Sequence, residues 1–158
     1  MRLYLVQHGA AKSEQEDPQR GLTDEGRRTV ERIAELLAPV GLPLDRIEHS
    51  DKLRARQTAE ILAVKLRPIE GAKQIAGIAP NDEVEPMRAR LEKESKNIML
   101  VGHLPYLSRL VTRLLGLEAS RVVVQFQMGG VVRLDRDEAG QWTLRWMLVP
   151  ELLPREMA

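Results

Sequence analysis

The sequence predicts an α/β fold: a three-layer α/β/α sandwich on a mostly parallel sheet, with an antiparallel strand or hairpin at one edge. Three observations predict it. Short uninterrupted apolar runs, at Leu3 to Val6 and Ile98 to Val101, suit strands buried on both faces. Helical patterns separate the early strands, as the crossovers of a parallel sheet require. The last third turns to strand patterns divided by a tight turn at Asp137 to Gly140, which reads as a hairpin.

The elements follow in order. Arg2 to Gln7 is the first strand and His8 to Leu22 a polar loop. Thr23 is placed to cap a helix whose first turn holds Asp24 and Glu25, where acidic side chains suit the helix dipole. That helix repeats Val30, Ile33, Ala34, Leu37 and Ala38 on one face, and Pro39 and Gly41 end it. Arg46 to Ser50 is a strand. Lys52 to Leu66 is a helix with Ala55, Ala59, Leu62 and Leu66 on one side. Pro68 to Ala79 has room for a short strand, and Glu83 to Glu94 is a helix carrying Val84, Met87 and Leu91. Asn97 to Gly102 is a strand. Pro105 opens a helix bearing Leu107, Leu110, Val111, Leu114 and Leu115, which stops at Gly116. Val122 to Phe126, Val131 to Asp135 and Thr143 to Val149 are expected strands. Trp142 and Trp146, four apart, are expected on one strand face. Gly129-Gly130 is expected to form a bulge rather than a phosphate cradle.

At 158 residues the chain is read as one domain, 1–158. Charged residues are 30% and apolar residues 43% of the chain, and the net charge is +1. That balance argues against a general nucleic-acid or anionic-membrane binder. There is no cysteine, so disulfides, thiolate metal sites and a thiol nucleophile are excluded. No apolar run is long enough for an export signal or a membrane span, and a cytoplasmic protein is the expectation. Acid–base or nucleophilic chemistry near neutral pH therefore falls first to His8, His49 and His103.

Ligands of open α/β sheets bind beyond the carboxyl ends of the strands. His8 follows the first strand directly, in Val6-Gln7-His8-Gly9, and His103 follows the strand ending Val101-Gly102. Ser50 ends another strand, with Arg54 one turn into the next helix and Arg20 in the loop after His8. If these strands are neighbours, two imidazoles and two guanidiniums converge on an anion site where an imidazole can attack phosphorus. His49 is expected to be a bystander in its strand. No two histidines have the spacing of a metal site.

These motifs resemble the histidine phosphatase superfamily, of phosphoglycerate mutase-like fold, and within it the small SixA-type phosphohistidine phosphatases. The family's Arg-His-Gly is Gln7-His8-Gly9 here. Its following Arg and Leu-Thr-x-x-Gly are Arg20-Gly21-Leu22-Thr23-Asp24-Glu25-Gly26. Its Ser-Pro-x-x-Arg-Ala-x-Gln-Thr is Ser50-Asp51-Lys52-Leu53-Arg54-Ala55-Arg56-Gln57-Thr58, and its second His is His103 in Gly102-His103-Leu104-Pro105. The resemblance implies that His8 is a transiently phosphorylated nucleophile. Gln7, Gly9, Arg20 and Arg54 would surround the phosphoryl group, and His103 would donate to it. It implies neither cofactor nor metal. The partner it implies is a protein bearing phosphohistidine, such as a phosphorelay domain, or a small phosphorylated substrate, with no nucleic acid and no membrane.

The departures bear on activity. Gln7 lacks the charge and fork of the family's Arg. Losing one charge-assisted hydrogen bond costs about 1.5–3 kcal/mol. Lys12 is a candidate to restore the charge, and Asp51 puts a carboxylate at the rim where the family has Pro. A general acid for an ester leaving group could come only from Asp82 or Glu83. Without one, cleavage of a P–N bond is favoured, because imidazole leaves more readily than an alcohol. The alternatives are a phosphomonoesterase and a catalytically weakened phosphate- or phosphopeptide-binding module. A nucleotide-binding domain is disfavoured because no glycine-rich loop follows a strand.

Overall fold

The computed structural model describes residues 1–155. Six strands form one sheet: β1 (Arg2–Gln7), β2 (Arg46–His49), β3 (Ala72–Gln74), β4 (Ile98–Gly102), β5 (Val131–Arg136) and β6 (Trp142–Leu148), in the order β3-β2-β4-β1-β5-β6. β3, β2, β4 and β1 are parallel, while β5 and β6 add antiparallel at the β1 edge. The helices are α1 (Asp24–Leu37), α2 (Leu53–Leu66), α3 (Glu85–Lys93) and α4 (Tyr106–Leu114).

Strand alternation divides the core into two layers. Leu3, Leu5, Ile98 and Leu100 pack against Met87 and Leu91 of α3 and Leu107, Leu110 and Val111 of α4. Tyr4, Val6, Met99 and Val101 pack against Val30, Ile33 and Ala34 of α1 and Ala55, Ala59 and Leu62 of α2. Each such aliphatic side chain contributes roughly 1.5–3 kcal/mol when fully buried. The three layers and the edge hairpin are those the sequence predicts.

The register positions the site. Leu3 pairs with Ile98 and Gln7 with Gly102, so β1 and β4 end level. His49 pairs with Val101, so β2 ends beside them. The chain leaving β1 crosses one face through α1, and the chain leaving β4 crosses the other through α4. The connections thus part at the carboxyl ends of β1 and β4, the kind of crevice where α/β sheets bind ligands.

Three expectations are corrected. Val122 to Phe126 joins no ladder. Both sides of β1 are already paired, and the segment runs as an irregular stretch that buries Val124 and Phe126 and exposes Val122 and Val123. Gly129-Gly130 forms a turn, with φ +81° at Gly129. Its N–H groups are spent on Gln7 and Gln127 carbonyls, each at 2.9 Å. The bulge lies instead in β6, where Arg133 faces Trp146 and Leu134 faces Leu144, leaving Arg145 as the extra residue. That one-residue insertion inverts the alternation. Trp142 therefore packs in the α3/α4 layer, and Trp146 lies against Tyr4 on the opposite face, with ring centroids 6.3 Å apart.

Candidate active site

His8 continues the ladder beyond β1, its N–H donating to the Gly102 carbonyl at 3.0 Å. Its Nδ1 lies 2.7 Å from the Gly9 carbonyl oxygen. A carbonyl only accepts, so Nδ1 carries the proton and Nε2 keeps its lone pair. Burial, and then the Arg54 and Arg20 charges, lower the His8 pKa below the usual imidazole range, although the Gly9 contact opposes this. The ring is neutral, and its Nε2 is a free nucleophile.

The loop around His8 is fixed from three sides. The Gly9 N–H donates to Thr58 Oγ1 at 3.0 Å, and the Thr58 hydroxyl donates to the Arg54 carbonyl at 2.8 Å. Thr23 Oγ1 caps α1 by accepting from the Gly26 N–H at 2.9 Å and donates to the Ala10 carbonyl at 3.3 Å. Gly26 itself touches the loop: a Cβ there would stand 2.2 Å from the Ala10 oxygen. Gln57 Oε1 accepts from the Leu22 N–H at 2.7 Å and holds the far end of the same loop. Thr58 and Gln57 belong to the motif block, but their holding roles were not legible without the fold.

His103 follows β4 and is buried, its ring centroid 5.1 Å from that of His8 at a tilt of 53°. Its Nε2 lies 2.6 Å from Ser50 Oγ, and its Nδ1 is buried without a partner among the described residues. Burial above all, helped by His8, Arg54, Lys52 and Arg20, pulls its pKa down to about 3. This ring too is neutral.

Arg54 stands in the first turn of α2 with its Nε buried and without a partner among the described residues, and burial followed by Arg20 lowers its pKa. Arg20 adopts φ +52°, in the left-handed region that disfavours side chains, and its Nε donates to the Lys12 carbonyl at 3.1 Å. Asp17 shapes that turn by accepting from Gly21 and Gln19 N–H groups, which hold its carboxyl below the usual range. Among the described residues no ion pair joins either Arg20 or Arg54.

The remaining candidates divide. Gln7 lies beside His8 at the mouth of a groove with Leu104, Phe126 and Met128, its Oε1 buried without a partner among the described residues. The further cation acting on His103 is Lys52, which the sequence reading did not single out; Lys12 acts on Asp17 instead. Asp82 lines a cavity of about 300 Å³ with Ser50 and Asp51, but one of its oxygens accepts from the Ala79 N–H at 2.8 Å. Glu83 is exposed. His49 is buried with Nδ1 on the Ser50 carbonyl at 2.8 Å.

Comparison with known proteins places this geometry. Residues 3–76 match the model of the histidine phosphatase superfamily, branch 1. An uncharacterized protein of Picosynechococcus sp. is 38% identical over 113 residues, spanning 66% of this chain and 67% of that protein. The phosphohistidine phosphatase SixA of Escherichia coli is 26% identical over 155 residues, 95% of this chain and 94% of that one. A solved structure of the protein histidine phosphatase SixA complexed with tungstate superposes with a TM-score of 0.84 at 25% identity, covering 95% of this chain and 97% of that one. The alpha-ribazole phosphatase of Shigella flexneri shares the fold, with a TM-score of 0.79 at 20% identity over 99% of this chain and all of its own.

Proposed function

Since the chain belongs to the histidine phosphatase superfamily, in its SixA-type group, and is a phosphatase, we propose that its substrate is phosphohistidine on a protein, such as a phosphorelay domain of the cytoplasm. The observation that carries this reading is the pair of neutral imidazoles, His8 and His103, 5.1 Å apart beside two arginines that no carboxylate pairs among the described residues.

His8 Nε2 attacks phosphorus in line. The P–N bond to the substrate breaks, and the departing imidazole keeps its electron pair and takes up a proton. Arg20, Arg54 and His103 neutralise the phosphoryl oxygens as charge shifts. Gln7 adds a hydrogen bond, and Gly9 lets the loop lie close against α1, where a Cβ would stand 2.9 Å from Val30 Cγ2. Water then attacks phospho-His8, releasing inorganic phosphate and returning the electron pair to Nε2. The departing imidazole needs no strong general acid, consistent with an Asp82 carboxylate occupied by the Ala79 N–H.

A second reading, hydrolysis of a phosphate ester, is favoured by one observation: Asp82 faces the same cavity as Ser50. Incubating the protein with a phosphohistidine peptide and with p-nitrophenyl phosphate separates the two. Phosphohistidine turnover, acid-labile label on His8 and little effect of Asp82→Asn are expected. An Asp82→Asn variant crippled on the ester would establish the second reading. Phosphate binding without turnover or labelled His8 would reduce the chain to a binding module.

A further inference from the structure

The two imidazoles of the site are both neutral, yet they must play opposite parts. His8 has to offer a lone pair and His103 a proton. A neutral ring can do either, depending on which nitrogen holds its one hydrogen. For His8 the Gly9 carbonyl decides. For His103 the only side-chain partner among the described residues is Ser50, whose hydroxyl could donate or accept across 2.6 Å.

The surroundings of Ser50 settle the direction. Its Oγ already accepts from the Lys52 N–H at 3.3 Å, at the start of α2. Oγ keeps a second lone pair, but among the described residues the only acceptor its hydroxyl proton reaches is His103 Nε2, so donation to the ring leaves the fewest groups unsatisfied. The residue is buried. Its backbone is pinned at both ends: its N–H donates to the Val101 carbonyl at 3.3 Å, and its carbonyl accepts from His49 Nδ1 at 2.8 Å. The proton of His103 is then left on Nδ1, which is buried without a partner among the described residues. A buried N–H without an acceptor is costly and rarely kept for structure alone.

We propose that Ser50 is a positioning residue that locks His103 in the Nδ1–H tautomer, reserving that N–H as the donor to the phosphoryl oxygen. His49 holds Ser50 in place for this task. The proposal rests on the reading of His103 as a phosphoryl-group donor. It adds that a serine hydroxyl, not the histidine alone, makes the ring a donor.

The test is ¹⁵N NMR of the imidazole nitrogens in the full-length protein near neutral pH, with His103→Gln assigning the signals. A protonated Nδ1 and an unprotonated Nε2 on His103 are expected. Ser50→Ala should redistribute the proton between the two nitrogens and lower kcat about tenfold, with little change in KM. Ser50→Thr, which keeps a hydroxyl, should restore both signature and rate. A wild-type ring protonated on Nε2 overturns the proposal, whatever the variants do. So does a Ser50→Ala ring signature identical to wild type. The spectra need no substrate. A chain that turns over no phosphorylated compound but shows the Nδ1–H ring would refute the enzymatic reading and leave the tautomer lock standing.

Discussion

Replacing His103 with Gln should change how stability responds to acid. The ring is buried, and its pKa falls from the ordinary value near 6.5 to about 3. Between those limits the unfolded chain binds a proton that the folded chain refuses. Stability therefore rises with pH across that window and is lost as pH falls through it. Each pH unit below 6.5 removes about 1.4 kcal/mol, so the group withdraws about 2 kcal/mol at pH 5. Gln cannot titrate, and its carbonyl can still accept from Ser50. Urea unfolding of both proteins at pH 7.5 and pH 5 isolates the effect. The stability of wild type relative to the variant should be about 2 kcal/mol lower at pH 5 than at pH 7.5. The same difference at both pH values would refute the claim that the fold excludes the imidazolium.

Gly26→Ala puts a methyl 2.2 Å from the Ala10 oxygen and 2.8 Å from its nitrogen, against backbone that must move. A stability loss of about 1–3 kcal/mol by thermal melting is expected. Turnover should fall by about a hundredfold, because the displaced loop carries His8. Arg20→Gly removes a side chain from a left-handed backbone, so stability should hold or rise by up to about 1 kcal/mol while turnover falls. A stability loss with unchanged turnover would sink the anion role. Gln7→Arg should raise kcat/KM about ten- to a hundredfold in the same assay if that side chain reaches the phosphoryl group, and an unchanged or lower value would place Gln7 outside the pocket.

The α/β architecture was legible because its signals are local. Four buried residues in a row mark β1, and Thr23 marks the start of α1 by a hydrogen bond three residues long. His8 and His103 were legible as neighbours because parallel strands end on one side. What escaped depends on distant pairing. The bulge at Arg145 is set by its partner strand, so spacing alone put both tryptophans on one face. Val122 to Phe126 alternates like a strand, but nothing local reveals that β5 already occupies the place beside β1. Ser50 and Lys52 were read as motif positions; their bearing on His103 exists only once β2 lies against β4.

Two neighbouring guanidiniums that no carboxylate pairs among the described residues set a bias on the whole folding equilibrium. Arg20 is tethered by a backbone carbonyl, and the buried Arg54 Nε keeps that side chain inside the site. Burial, and after it the Arg20 charge, lower the Arg54 pKa, and both weigh against the native state and vanish when the chain unfolds. An oxyanion that bridges them therefore acts on stability as well as on chemistry, by mass action on the native form. Inorganic phosphate, the product of the proposed reaction, would then compete with substrate while protecting the enzyme, linking its lifetime in the cell to the phosphate around it.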